Sequence, residues 1–294
     1  MEQRDFLAEQ FEANRGHLRG VAYRMLGSLT DADDAVQESW LRLSRNGAEG
    51  IDNLGGWLTT VVARVCLDML RSRKSKREEP LEIPGTIDPV PQPHAKTDPE
   101  TETMMADSVG LALLVVLDRL DPAERLAFVL HDMFDLPFDE IAGIVGRSEA
   151  ATRQLASRAR RRVRGVDVSE TNTIGKQRRV VDAFLAALRR GDVPGLVALL
   201  DPDFSVRADA TAVAALPPDV QGAEAWAKHA VQTARGAKFA QPALVDGSVS
   251  IVIAPKGRLF RVLRLTIEGD RIAAMEVIGD PERLRQMDLA VFSD

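Results

Sequence analysis

The stretch Phe138–Arg164 reads FDEIAGIVGRSEAATRQLASRARRRVR. In it Phe138, Ile141, Ala142, Ile144 and Val145 recur at helical spacing, Gly146 falls where a tight turn is needed, and Ala151, Leu155, Ala159 and Val163 resume an apolar stripe. A short helix, a glycine turn and a longer second helix is the spacing of a helix-turn-helix, whose second helix enters the DNA major groove. On a helical wheel Arg153, Ser157, Arg160, Arg161 and Arg164 lie opposite that stripe, flanked by Gln154 and Arg158. Seven arginines from Arg147 to Arg164 oppose a single carboxylate, Glu149, in a chain whose formal net charge is -6. A solvated helix end whose cations complement the helix dipole is the plainer account. Yet such segregation of positive charge in an acidic chain needs a cause, and phosphate binding supplies one. The residue types also suit base reading, since arginine bonds guanine O6 and N7 in pairs and glutamine can read adenine.

Upstream, helical spacing extends from Ser108 to Arg164 in a four-helix pattern. One helix is expected to start at Asp121, Pro122 and Glu124, with a capping side chain, a proline at the first helical position and a carboxylate in the first turn. Before it, Glu78 to about Asp107 is interrupted by Pro80, Pro84, Pro89, Pro91, Pro93 and Pro99 and is strongly acidic, the composition of a linker. A tethered anionic segment can compete with DNA for basic surfaces; a solvated spacer is the simpler reading.

From Phe6 to Arg77 three more apolar stripes appear at helical spacing. Leu18, Val21, Ala22, Met25 and Leu26 form the first, Ala32, Ala35, Val36, Trp40 and Leu43 the second, and Leu54, Trp57, Leu58, Val61, Val62, Val65 and Met69 the third. With the second stripe buried, Asp34, Gln37, Glu38 and Leu41 fall together on the exposed face. A leucine set among carboxylates has the makeup of a docking surface, against the alternative of a solvated acidic face. The third helix ends in Arg71, Arg73, Lys74, Lys76 and Arg77, a basic cluster able to approach phosphates, and Arg64 is a polar position on the same helix. Trp57 is able to stack on an unpaired base, but its place on the stripe predicts core packing.

Downstream of a polar connection, Val168–Lys176, the character becomes α+β. Val180, Val181, Phe184, Leu185 and Leu188 predict a helix ended by Gly191, and Leu196–Leu200 starts another. Strand-like runs follow at Phe204–Arg207, Ser248–Ile253, Leu259–Ile267 and Arg271–Ile278, with an amphipathic helix at Ala223–Ala234. Helices on a curved antiparallel sheet fit that order. Candidate pocket residues are Asp209, Trp226, His229, Asp246 and Arg264. No nucleophile triad, metal-ligand spacing or phosphate-cradling glycine loop is apparent, so no catalytic residue, metal or cofactor is expected.

At 294 residues, 45% hydrophobic and 28% charged, the chain predicts two or three folded domains. Cys66 is the only cysteine, which excludes an intrachain disulfide. No apolar run approaches the roughly 20 residues of a membrane span, and MEQRDFLAEQ lacks an apolar signal core, so the cytoplasm is the expected compartment.

Three of these stretches together resemble the extracytoplasmic-function (group IV) sigma factors of the sigma-70 family. DADDAVQESWLR, Asp31–Arg42, resembles the polymerase-binding helix of region 2.2. GGWLTTVVARVCLDMLRSRKSKR, Gly55–Arg77, resembles regions 2.3 and 2.4, which melt and read the minus-10 element. LDRLDPAERLAFVLHDMFDLPFDEIAGIVGRSEAATRQLASRARRRVR, Leu117–Arg164, resembles region 4, which reads the minus-35 element and touches the polymerase flap. The resemblance implies Asp34, Gln37, Glu38 and Leu41 against the β′ coiled coil of core RNA polymerase. It implies Arg64, Arg71, Arg73 and Lys74 at the minus-10 element of promoter DNA, and Arg153, Gln154, Ser157 and Arg158 in the minus-35 groove. VVDAFLAALRRGDVPGLVALLDPDFSVRAD and GRLFRVLRLTIEGDRIAAMEVIGDPERL resemble the SnoaL-like α+β domain fused to one subset of these factors. Its motifs differ here: the linker reads REEPLEIPGTIDPVP, and the loop in place of a glycine-rich one reads ADATAVAALPP.

The expected architecture is therefore two all-α sigma domains followed by an α+β domain: region 2 over 1–78, a linker over 79–106, region 4 over 107–166 and a regulatory domain over 176–294. The expected activity is transcription initiation without enzymatic turnover. The C-terminal domain acts as a brace or as the sensor of a small-molecule ligand at Asp209, Trp226, His229 and Arg264; no membrane partner is expected and no anti-sigma partner is identifiable from the residues.

Overall fold

Three apolar stripes become three helices in the computed structural model, which describes residues 2–48, 50–78, 110–164, 172–212 and 222–292. The expected linker at 79–106 lies outside the described residues, as does most of the loop expected after Asp209. Helix α1 spans Glu2–Leu26, α2 Leu29–Asn46 and α3 Leu54–Glu78. Gly27, at φ 71°, donates to the Tyr23 carbonyl and closes α1. Ser28 then opens α2, accepting the Asp31 amide on its hydroxyl at 3.3 Å. Leu18, Val21, Ala22 and Met25 meet Ala35, Leu43, Leu58 and Val62 in the core, each contributing about 1.5–3 kcal/mol where a large side chain is fully buried. Trp57 departs from expectation: it is only half-buried, because it sits on the first turn of α3 at the edge of the bundle.

The next segment contains α4 (Leu111–Asp118), α5 (Pro122–Phe128), a π-helical turn (Val129–Met133), α6 (Phe138–Val145) and α7 (Glu149–Arg164). Gly146 takes the left-handed conformation at φ 72°, and its amide and that of Arg147 both donate to the Ala142 carbonyl, which makes the sharp turn between α6 and α7. Two local expectations change. Asp121 occupies the N-cap of α5 but makes no side-chain capping bond, because its carboxylate is drawn to Lys74 at 2.7 Å. The buried line of α7 runs through Thr152, Ala156, Ala159 and Val163, while Ala151 and Leu155 are half-buried. Thr152 can be buried because its hydroxyl donates to the Ser148 carbonyl at 3.0 Å.

The described residues form two compact units, one drawn from Met1–Met105 and Leu117–Arg160, the other from Ala106–Val116 and Arg161–Asp294. The first unit thus holds α1–α3 and most of the helix-turn-helix segment in one packed body. The second contains α8 (Asn172–Arg190), α9 (Val193–Leu199) and α10 (Ala223–Thr233) with strands β1 (Leu200–Ala208), β2 (Ala240–Val245), β3 (Ser248–Ile253), β4 (Arg261–Glu268) and β5 (Arg271–Ile278). Helix α11 (Pro281–Gln286) and the two-residue strand β6 (Leu289–Ala290) complete it.

The sheet order is β1-β5-β4-β3-β2-β6. It is mixed rather than wholly antiparallel, because β1 runs parallel to β5. One face carries Leu244, Val249, Ile251, Leu265 and Met275, which join Val181, Phe184, Leu196 and Trp226 of the helices in a single core. Strand β2 was not anticipated; Pro242 interrupts its apolar run, yet the strand is held by six registered pairs with β3. This second unit also takes in both ends of the helix-turn-helix segment. The Gln241 side chain accepts the Ala112 amide at 3.2 Å, capping the first turn of α4, and the Val291 amide donates to the Val163 carbonyl at 3.0 Å, at the end of α7.

Candidate nucleic-acid and partner interfaces

On α2, burial of Ala32, Ala35, Val36 and Leu43 leaves Asp34 and Gln37 exposed and Glu38 partly so. Leu41, 37% exposed, is the large hydrophobic side chain that stands out among the described residues. Glu38 accepts the Arg42 Nε–H at 2.9 Å, so its carboxylate is anchored on the helix. Behind it Trp40 packs at a tilt against Phe11, with ring centroids 5.1 Å apart, which helps fix the orientation of α2 on α1. An apolar tip ringed by carboxylates on a rigid helix is suited to a partner with a basic rim and an apolar notch.

The cations of α3 are engaged within the first unit. Arg64 Nη2 donates to the Gly143 carbonyl at 3.2 Å, Arg73 pairs with Asp31 at 2.7 Å and Lys74 with Asp121 at 2.7 Å. Arg71 is exposed. The side chains of Lys76 and Arg77 lie outside the described residues.

On α7 the four sequence-predicted residues Arg153, Gln154, Ser157 and Arg158 are all exposed, opposite the line of Thr152, Ala156 and Ala159. Arg153 pairs with Glu149 one turn earlier on its own helix, and its guanidinium lies 5.6 Å from the Phe138 ring centroid. Phe138 is half-buried rather than inward-facing, stacked on His131 with centroids 3.8 Å apart. Arg158 reaches Glu124 at 2.8 Å, a carboxylate only 4% exposed. Arg160 is held by Asp132. Arg and Gln side chains displayed at helix spacing on one face can meet base edges and phosphates together.

Sequence reasoning missed Arg125. It is 2% exposed and donates from Nε and Nη2 to the Arg24 carbonyl at 3.2 and 3.0 Å. Arg24 lies in the last turn of α1, so this oxygen is one the helix itself leaves without a partner. Asp118 stands 3.6 Å from the guanidinium. Burial pushes the Arg125 guanidinium down to about 10, so it stays cationic at neutral pH, with the Asp118 carboxylate opposing the shift. Around it, Phe134 receives the Arg24 guanidinium at 5.1 Å and the edge of His17 at 5.2 Å. Helix α5 and the π turn are thereby fixed on α1 and α3.

The residues expected to share a pocket are not all brought together. Trp226 is in the core of the second unit, 5.8 Å from Phe184 and 5.2 Å from Phe204 by ring centroids. His229 follows on the same helix, its Nε2 buried without a hydrogen-bond partner. Arg264 is on the opposite sheet face, because its neighbours Leu263 and Leu265 point into the core side. There it pairs with Asp246 at 2.6 Å and approaches Glu276, which is bound by Arg283. Asp209 accepts the amides of Ala212, Gly279 and Asp280, each at 2.9 Å, which makes it a clamp between β1 and the β5–α11 turn. Burial alone would raise its pKa, but those three backbone donors and Arg283 hold the carboxyl below its usual value. Among the described residues no cluster of His, Cys, Asp and Glu could hold a metal ion, and no helix is long and apolar enough to cross a membrane.

The sequence matches the family model of sigma-70 region 2 over residues 10–76 and that of sigma-70 region 4 over residues 110–163. It is 35% identical over 288 residues to the probable ECF RNA polymerase sigma factor SigI of Mycobacterium tuberculosis, with 97% of each chain covered. To the ECF RNA polymerase sigma factor SigJ of the same organism it is 37% identical over 294 residues, covering 93% of this chain and 92% of the other. The crystal structure of that SigJ is similar over 94% of this chain and 98% of its own, at 33% identity and a TM-score of 0.45.

Proposed function

The chain belongs to the extracytoplasmic-function sigma-70 family, the transcription initiation factors that bind core RNA polymerase and promoter DNA, and from that premise we propose which surfaces do each task. Asp34, Gln37, Glu38 and Leu41 of α2 dock on the β′ coiled coil. Arg153, Gln154, Ser157 and Arg158 of α7 read the minus-35 element, and the same segment touches the β flap. Arg64, Arg71, Arg73 and Lys74 of α3 approach the minus-10 element. The observation that carries the reading is α7 itself: its polar face is exposed along its length while its small residues are buried, so an arginine-rich face is presented to a groove.

For α3 to meet DNA, phosphates must take the places now held by the Gly143 carbonyl, Asp31 and Asp121. The region 2 boundary at residue 78 and the region 4 span 107–166 follow from this division, with 79–106 linking them. The domain at 176–294 is SnoaL-like and noncatalytic, a brace for the ends of region 4, which Gln241 and Val291 support by capping α4 and bonding the end of α7. The protein works in the cytoplasm, where the polymerase is.

Run-off transcription with purified core polymerase tests this reading. The full chain is expected to start transcripts at specific sites, and Asp34→Arg with Leu41→Ala to abolish copurification with polymerase while thermal unfolding stays unchanged. Undiminished copurification of that double variant would remove α2 from the docking role.

A further inference from the structure

Two ring contacts in series lead from the π-helical turn to α7, all within the first unit. His131 of the turn lies against Phe138, the first residue of α6, with ring centroids 3.8 Å apart and planes tilted by 30°. The Arg153 guanidinium of α7 lies over the Phe138 ring, 5.6 Å from its centroid. Both rings are half-buried and Arg153 is exposed, so the series runs outward to the surface that α7 presents.

The chain between the two rings has little freedom. Asp135 takes the left-handed conformation at φ 55°, its amide donates to the His131 carbonyl at 3.1 Å, and the Leu136 amide donates to the Leu130 carbonyl at 2.9 Å. The imidazole closes the same turn: its Nδ1 is 2.9 Å from the Leu136 carbonyl, which can only accept, so Nδ1 carries the hydrogen and donates it. Pro137 then sets the entry into α6, which places the Phe138 ring.

A guanidinium offers a flat face for an aromatic ring and an in-plane fork of N–H donors for paired acceptors. Stacking is compatible with a full fork, whereas Glu149, one turn earlier on α7, occupies Nη2. A base edge therefore has to displace Glu149, while the contact with Phe138 can stay. Guanine O6 and N7 form the acceptor pair that the fork matches. Ordering a free arginine on binding costs conformational entropy, and a platform that restrains it beforehand lowers that cost.

We propose that Phe138, braced by His131, is a positioning residue for base reading, holding the Arg153 guanidinium so that its fork meets a guanine edge. This rests on α7 being the minus-35 helix.

The test is competition binding by the full chain in complex with core polymerase. The probes are a labelled promoter duplex that supports run-off transcription and versions of it substituted singly in the minus-35 element. Phe138→Leu is expected to lower the preference for guanine at the Arg153 position roughly two- to fivefold, the size of an exposed cation–ring contact. The slope of log K against log salt should not change, because Arg153 keeps its charge. Phe138→Tyr retains the ring and should restore the preference; His131→Leu removes the brace and should lower it. In an Arg153→Ala background Phe138→Leu should have no further effect, since it acts through that side chain. Thermal unfolding is followed for each variant, and His131→Leu carries the same comparison if Phe138→Leu does not fold. A loss that persists undiminished in the Arg153→Ala background overturns the proposal, making Phe138 a structural residue or a DNA contact of its own. Lost preference in Arg153→Ala beside intact preference in Phe138→Leu overturns the proposal alone. Intact preference in Arg153→Ala overturns the minus-35 reading of Arg153 and the proposal with it.

Discussion

The polar residues of α3 and those of α7 are held to different degrees by the rest of the first unit. Arg64, Arg73 and Lys74 each reach a group on a different element, the Gly143 carbonyl of α6, Asp31 of α2 and Asp121 before α5. On α7, Arg153 is paired within its own helix, Gln154 and Ser157 stand exposed, and Arg158 reaches across to Glu124. Gln154 and Ser157 can therefore meet DNA as folded, whereas Arg64, Arg73 and Lys74, and on α7 Arg153 and Arg158, must exchange internal bonds for external ones. The difference matters because an internal carboxylate competes with phosphate for the same cation, which lowers affinity without removing any contact.

Arg125 is where this comparison breaks most readily. Arg125→Ala removes both donors to the Arg24 carbonyl and opens a cavity between α5 and α1, so a loss of about 2–5 kcal/mol is expected from the unsatisfied carbonyl and the lost packing. Urea unfolding measures it. Its pH dependence is informative as well: the guanidinium is lowered to about 10 in the folded protein, below its ordinary value, so the native state releases this proton first. Burial thus costs stability throughout the range below about 10, and that cost is relieved only as pH rises from there toward the ordinary value of the unfolded chain. The difference between wild type and variant should be flat from about pH 6 to 9; a steep change there would assign the stabilisation to another group.

Next in size is base reading. Arg153→Ala is expected to lower affinity by about 1–3 kcal/mol for one base at one position and much less for the others, measured by competition between single-substituted duplexes. Uniform weakening across all of them would make Arg153 a phosphate contact and erase the distinction drawn between α7 and α3. Arg64→Ala should behave in that uniform way, reducing the salt slope by about one.

How far the sequence discloses this varies with the distance over which each feature is set. The turn at Gly146 and the exposed face of α2 are legible because helical period and glycine conformation are local. The phase of α7 is misread by one residue in its first half, where Thr152 and Ala156 are buried in place of Ala151 and Leu155, since Thr152 reads as polar until its hydroxyl is bonded to the Ser148 carbonyl; Ala159 and Val163 are buried as expected. Strand β2 hides behind Pro242, and it exists because β3 supplies a partner. Arg125 is illegible from its own helix: its acceptor is 101 residues away in sequence, at the end of α1. Arg264 and Trp226 read as pocket mates, but strand alternation turns Arg264 away from the sheet face on which Trp226 of α10 packs.

The smallest effect is the sharpest test of competition. Lys74 and Asp121 are both more than half exposed, so the stability their pair provides is at most about 1 kcal/mol and screened by salt. Asp121→Asn should therefore leave unfolding nearly unchanged while removing an anion that competes with phosphate for Lys74. Binding to a fork-junction duplex carrying a minus-10 element should tighten severalfold at low salt, and the gain should vanish in a Lys74→Ala background. If Asp121→Asn tightens binding equally with Lys74 absent, the carboxylate acts by general repulsion of DNA, and the internal bonds of α3 do not restrain it.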